Sequence, residues 1–575
     1  MERAIRPGTT LLALVPLGFL AVFFVWPVVA IMRLGFDEGG VLATLGTARV
    51  WRLVGFTVAQ AAGATVVAVV AGLPVAFLLA RTNLPGLGII RVIILVPFVL
   101  PSVVVGLAFR AMLPDGGVWA IVLANAFFNV AVVARTVAGL WTHLDRRAED
   151  AARALGASRL RTFTSVTLPA LAPAIGSAAA VVFLFCATSF GVVLILGGAR
   201  LRTLETEIYL RTVELLDLPG AAALSLLQVG AVVAVLSVGA VARRRRETAL
   251  RLRGQAESAR RPAGGEWAVV AAALGVVVLL CVPIASLVLR SLSTPDGWGL
   301  DGYRALTGVG YEGSLQISGL DAARNSLAAA TDATLLAVTL GTMASVVLVT
   351  LARDGRGTTE RAPSGLTSSA GPCARNGPRG RAAQEGRRRL SGGVKQRIRH
   401  RVRYVEVVDT AFMLPLGVSA VTVGFGYLIT LDLLPGDLRT SPVLVPLAQA
   451  LVVTPLVIRV MLPVLRSIDE RLRQAAGSLG ASPWRVWWEV DVPMAGRSLL
   501  TAAAFGYVVA LGEFGATSFL ARPDTATLPV AVARLISRPG ELNNQMAYAA
   551  CTLLVLVTVA VVAVVERVRV PVGEF

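Results

Sequence analysis

Side chains able to make or break bonds are few in this sequence and far apart. It has two histidines, His143 and His400, and four cysteines, Cys186, Cys281, Cys373 and Cys551, none at a spacing that would ligate a metal or define a disulfide framework. No GxxxxGK[ST] phosphate loop is present. The carboxylate that stands out is Glu513 in "ALGEFGATS", inside an apolar run. An acid at the centre of a membrane helix costs about 2.5–3.5 kcal/mol on insertion scales, so such a residue is worth a functional hypothesis. The other pattern is a repeated phrase. Asp150-Ala151-Ala152 with Gly156, and nine residues later Val166-Thr167-Leu168-Pro169, returns as Gln474-Ala475-Ala476 with Gly480, then Val490-Asp491-Val492-Pro493. Small residues on a short polar helix suit close approach by another protein's backbone, not covalent chemistry.

The elements that hold these residues are membrane spans. Of 575 residues 55% are hydrophobic and 15% charged, and the mean hydropathy is +0.72, whereas soluble domains carry about 25% charged residues. A helix needs about 20 apolar residues to cross a hydrocarbon core. Twelve such runs are read, near 11–34, 54–80, 89–113, 118–140, 170–197, 219–242, 267–290, 325–352, 406–431, 441–466, 498–520 and 541–566. The net charge of +19 gathers in alternate connections, which argues against a nucleic-acid-binding face and, by the positive-inside rule, sets both termini in the cytoplasm. The cysteines, three of them within spans, read as packing residues.

The repeat extends well beyond the phrase "LGAS" at 155–158 and 479–482. At a fixed offset of 324 residues, Arg135 matches Arg459, Asp145 matches Asp469, Arg147 matches Arg471, and Pro169 matches Pro493. The match continues through Phe190-Gly191 with Phe514-Gly515 and Thr203-Leu204 with Thr527-Leu528. Further upstream Pro97 and Gly106 correspond to Pro415 and Gly424. The expected fold is therefore all-α, with two parallel repeats of six helices each, since an even number of spans returns the second half to the same orientation. The first half covers 1–242, a basic cytoplasmic linker 243–266, and the second half 267–575. Residues 353–404 interrupt the second half with a Gly/Pro/Ser/Arg-rich, disorder-prone basic insertion.

The repeated phrase resembles the EAA motif of ABC importer permeases, Glu-Ala-Ala, three residues, Gly, nine residues, then Ile, any residue, Leu-Pro. In that family the motif forms a coupling helix seated in a cytoplasmic ATPase. The resemblance implies ATPase-coupling roles for Asp150, Ala151, Ala152, Gly156 and Pro169 in a segment near 149–166, and for Gln474, Ala475, Ala476, Gly480 and Pro493 in a segment near 473–490. Both copies depart from the motif, with Asp150 and Gln474 standing at the Glu position. The phrases "LANAFFNVAVVAR", "CATSFGVVLILGG", "TLETEIYLRTVELLDLPGAAALSLLQ" and "LGEFGATSFLARPDTATLPV" are similar to the fused, two-lobe permeases of thiamine and ferric-iron importers. The implied partners are a cytoplasmic ABC ATPase dimer, an extracytoplasmic solute-binding protein and membrane lipid, with no nucleic acid. ATP and Mg belong to the ATPase, and this chain is expected to hold no cofactor or metal and to catalyse no reaction. "LSGGVKQR" at 390–397 resembles the ATPase signature sequence, yet no nucleotide domain surrounds it, and a chance match or a remnant is expected.

Ser189 and Phe190, with Glu513 and Phe514 at the same place in the second half, are read as lining the translocation pathway. There Glu513 would meet a cationic solute or would simply be hydrogen-bonded within its own segment. Two other classes compete. A twelve-span secondary transporter driven by an ion gradient needs ionisable groups near the midplane, and Glu513 is almost alone. An intramembrane enzyme would need a cluster of catalytic side chains that the sequence does not offer.

Overall fold

The architecture was analysed in a computed structural model, in which residues 7–37, 40–198, 200–244, 260–294, 297–310, 313, 315–360, 408–430 and 441–568 are described. Among these the chain is helical almost throughout; a two-stranded ribbon, Ser293–Thr294 with Gly297–Trp298, is the exception. Ten helices are long and apolar enough to cross a membrane: Leu12–Phe36, Ala48–Arg81, Val118–His143, Arg159–Ala187, Leu218–Val235, Glu266–Leu292, Gly319–Leu351, Leu444–Ser467, Pro483–Gly512 and Glu541–Arg567. The chain is a multi-pass membrane protein.

Two of the expected spans are not single straight helices. The run 89–113 is a pair, Leu87–Val99 and Ser102–Met112, bent by 100°. Pro101 causes the break: it has no N–H to continue the ladder and drives Leu100 to an extended conformation, φ −62° and ψ 141°. The run 406–431 contains a 3₁₀ turn, Leu414–Gly417, followed by the short helix Ala420–Thr430. Two other spans are shifted. The helix expected at 170–197 starts at Arg159 and stops at Ala187, and that expected at 498–520 starts at Pro483 and stops at Gly512. Hydropathy records how long a chain stays apolar, not whether it keeps its direction.

Corresponding helices pack in the same way in the two halves. Ala48–Arg81 lies along Val118–His143 and Leu168–Ala187, as Gly319–Glu360 lies along Leu444–Ser467 and Val492–Gly512. Ser102–Met112 packs on Gly191–Leu196, as Ala420–Thr430 packs on Thr517–Leu520. The first helix of each half crosses to the other. Pro7–Leu20 and Trp26–Asp37 meet Gly319–Glu360 and Ala420–Thr430 respectively, while Glu266–Leu292 meets Ala48–Arg81 and Ser102–Met112.

Apolar surface gives little preference between helix and lipid, so polar groups fix some of the helix contacts. In the first half Asn125 Nδ2 donates to Gln60 Oε1 at 2.9 Å, and Gln60 Nε2 donates to the Cys186 carbonyl at 2.7 Å. Three helices are thus tied together one turn before the break that carries Ser189 and Phe190.

Candidate functional site

The two expected coupling segments fold alike, and their shared phrase explains why. Arg147–Ala154 and Glu470–Ser478 are short helices with no buried residue. Leu155 and Leu479 are their C-caps. Gly156 and Gly480 follow in the left-handed region, with φ of +85° and +86°, where an L side chain costs about 1–2 kcal/mol. Their N–H groups donate to the carbonyls of Arg153 and Gly477, at 2.9 and 3.1 Å. Ala157 and Ala481 donate to the carbonyls of Ala152 and Ala476, both at 3.0 Å. This is a Schellman stop. Ser158 and Ser482 then cap the next helix, accepting from the N–H groups of Arg161 and Arg485 at 3.3 Å. Each phrase is therefore a stop, a turn and a start.

Pro169 and Pro493 do not begin separate helices. The helix is already running and passes through a π-helical turn, Phe163–Thr167 or Trp487–Asp491, immediately before the Leu-Pro or Val-Pro pair. A proline ring crowds the carbonyl four residues back, and the wider turn relieves that clash.

Each short helix is pinned to the base of the span that follows it, with different chemistry in the two halves. Glu149 Oε1 accepts from Thr167 Oγ1 at 3.0 Å and from Arg81 Nη2, at the end of Ala48–Arg81, at 3.1 Å. At the equivalent positions Arg473 Nε donates to Asp491 Oδ1 at 2.7 Å. Arg146 Nη2 donates to the Arg81 carbonyl at 3.1 Å. Burial, and then the charges of Arg81 and Arg260, hold the Arg146 guanidinium below its usual pKa. The linker's end joins this corner: Asn83 N–H donates to the Arg260 carbonyl at 3.1 Å, and Arg159 Nη1 to the Ala263 carbonyl at 2.8 Å. Glu149, Thr167, Arg81, Arg473 and Asp491 escape a motif-based reading. Their signal is a matched exchange, Glu149 with Thr167 against Arg473 with Asp491, at the repeat offset.

The outward sides of these segments are open. Asp150, Ala151, Gln474 and Ala475 are exposed, Ala152 and Ala476 half-buried, and a side chain added at Gly156 or Gly480 would meet nothing within 4 Å. Leu155 is 89% exposed and Leu479 88%. Leu160 and its equivalent Trp484 are exposed too. Apolar side chains this bare, at matched positions on two polar helices, form surfaces suited to a partner.

Ser189 with Phe190, and Glu513 with Phe514, fall in the breaks after Leu168–Ala187 and Val492–Gly512. The structure brings the two Phe rings together, stacked at 5.3 Å with planes 16° apart. Ser189 is half-buried. Glu513 is buried, and its carboxylate accepts from the N–H groups of Ala516 at 2.8 Å and Thr517 at 3.1 Å, and from the Thr517 hydroxyl. Both oxygens serve the turn that they close. Among the described residues no group of three or more His, Cys, Asp and Glu side chains could hold a metal ion. "LSGGVKQR" at 390–397 and most of the basic insertion lie outside the described residues.

Known transport proteins resemble this chain over part or most of its length. Over 97 residues the chain is 40% identical to the molybdenum transport system permease protein ModB of Haemophilus influenzae, covering 16% of this chain and 42% of that protein. It is 40% identical over 77 residues to the probable sulfate transport system permease protein cysT of Anthoceros angustus, covering 13% of this chain and 27% of that one. The chain thus spans less than half the length of these two relatives. The thiamine transport system permease protein ThiP of Brucella abortus matches across both halves, 24% identical over 556 residues, 93% of this chain and 90% of the relative. One family model matches residues 68–247 and 398–569, one stretch in each half, and the chain belongs to that family, the binding-protein-dependent transport system inner membrane components.

Proposed function

We propose that this chain is the permease subunit of an ATP-driven ABC importer, in which one polypeptide supplies both lobes of a translocation pathway. The observation that carries the reading is the pair of surface helices ended by "LGAS". They share one geometry, carry matched exposed leucines, and are pinned by Glu149 or Arg473 to the base of the following span. A load applied to either helix would reach a transmembrane helix directly. Asp150, Ala151, Ala152, Gly156 and Pro169, with Gln474, Ala475, Ala476, Gly480 and Pro493, form the two ATPase-coupling segments. Both face the cytoplasm, as do the termini.

The lobes are 1–242 and 267–575, six spans each in the same orientation, with bent or interrupted helices serving as the third span of each. Ser189, Phe190, Glu513 and Phe514 border the pathway between them. A solute-binding protein delivers the solute at the outer face. Thiamine is the favoured solute, because the relative that matches both halves is named for thiamine transport; ferric iron is the second.

The test is reconstitution in proteoliposomes. The chain alone should hydrolyse no ATP, and with its ATPase and binding protein it should take up thiamine in an ATP-dependent manner. ATP hydrolysis by the isolated chain, or uptake driven by an ion gradient without the ATPase, would overturn the reading.

A further inference from the structure

Phe190 and Phe514 are separated by the same 324 residues as the two "LGAS" phrases, and their rings touch. Parallel repeats are related by an axis along the membrane normal. A residue in contact with its own repeat equivalent must lie at that axis. The stack therefore sits where a route between the halves would run, and both side chains are buried. Tyr209 stands 5.2 Å from Phe190 and 5.4 Å from Phe519, so a second ring contact joins the halves beside the first. Ring surface fills the axis at this level.

The backbone behind each ring is clamped to a neighbouring short helix. A Cβ added at Gly191 would collide with Ser102 Oγ, and one added at Gly515 would come within 2.8 Å of Ala420 Cβ. Neither glycine could carry a side chain without parting these helices. Phe190 must then move with Ser102–Met112 and Gly191–Leu196, and Phe514 with Ala420–Thr430 and Thr517–Leu520. One bond between the halves crosses nearby: Ser419 Oγ donates to Glu205 Oε2 at 2.6 Å. The rings themselves share only a nonpolar face, which can separate without leaving a broken hydrogen bond.

We propose that the Phe190–Phe514 stack is the gate of the solute pathway, shut in this structure and opened when the two short-helix pairs move apart. The proposal rests on the importer reading and adds the residues that close the route. Glu513, whose oxygens hold its own turn, then serves to set the Phe514 backbone and not to bind solute.

The test uses the full chain in complex with its ATPase, with the four native cysteines replaced and Phe190→Cys and Phe514→Cys introduced together. A short bis-methanethiosulfonate should join the pair efficiently without nucleotide and about tenfold less efficiently after trapping with ATP and vanadate, as expected for a strong shift between two states. Hydrolysis is measured in the same sample before trapping. Absence of hydrolysis would count against the importer reading, whereas brisk hydrolysis with equal cross-linking in both states would overturn the gate. Independently, Phe190→Ala/Phe514→Ala should make proteoliposomes lose a potassium gradient roughly tenfold faster than wild type, by opening a path that the rings had filled. Unchanged leakage from a variant that still binds the ATPase would also overturn it.

Discussion

Gly156 and Gly480 show how much a single residue type decides. Both have open space around the missing side chain, so crowding does not explain them. Both have a φ near +85°, which does, since only Gly, and less readily Asn, takes that conformation at low cost. Substitution should therefore act through the backbone. Gly156→Val should lose the Schellman stop, at a cost of about 1–2 kcal/mol, and reduce ATPase stimulation, while Gly156→Asn keeps most of it. Thermal unfolding of the spans should hardly change in either variant, because Arg147–Ala154 buries no residue. Equal stimulation by the Val and Asn variants would show that the left-handed turn is dispensable. The positions of these glycines were legible in the sequence through the repeat. Their conformational reason was not, because a motif records which residue recurs and not which dihedral angle it satisfies.

At the scale of elements, the link between surface helix and span is a small, partly buried electrostatic joint. Arg81 is 3% exposed, with Nε and Nη1 lacking any hydrogen-bond partner, and Glu149 supplies its acceptor. Removing one member of such a pair costs about 3–5 kcal/mol, while replacing both with apolar groups is often neutral. Glu149→Leu should therefore lower stability in detergent by about 3 kcal/mol, and Arg81→Met/Glu149→Leu should recover most of the loss. Additive losses in this double-mutant cycle would mean that the two side chains do not act as a unit. Ten spans were legible as apolar runs, and the bend at Leu100–Pro101 and the stops at Ala187 and Gly512 were not. Ala187-Thr188-Ser189-Phe190 carries no charge to mark its turn, because there the N–H groups of Thr188 and Ser189 are taken up by the carbonyls of Leu184 and Cys186, whereas the equivalent break uses the Glu513 carboxylate.

For the whole molecule, the two halves share one packing pattern. Helices keep the same neighbours in both halves, and each half lends its first helix to the other. The halves nevertheless differ at several matched positions. Glu149 with Thr167 is replaced by Arg473 with Asp491, Leu160 by Trp484, and Ser189 by Glu513. The linker's end bonds to the corner beside Arg147–Ala154 through Arg159 and Asn83, which ties that corner to the start of Glu266–Leu292 in the second half. If both "LGAS" surfaces bear on an ATPase, as proposed, their exposed leucines must touch it. A photo-cross-linking amino acid placed in turn at Leu155 and at Leu479 in the assembled complex should capture the ATPase from either position, and from the exposed Leu216 should capture none. Capture from neither Leu155 nor Leu479, in a complex that still carries out ATP-driven uptake, would mean that these surfaces do not meet the ATPase.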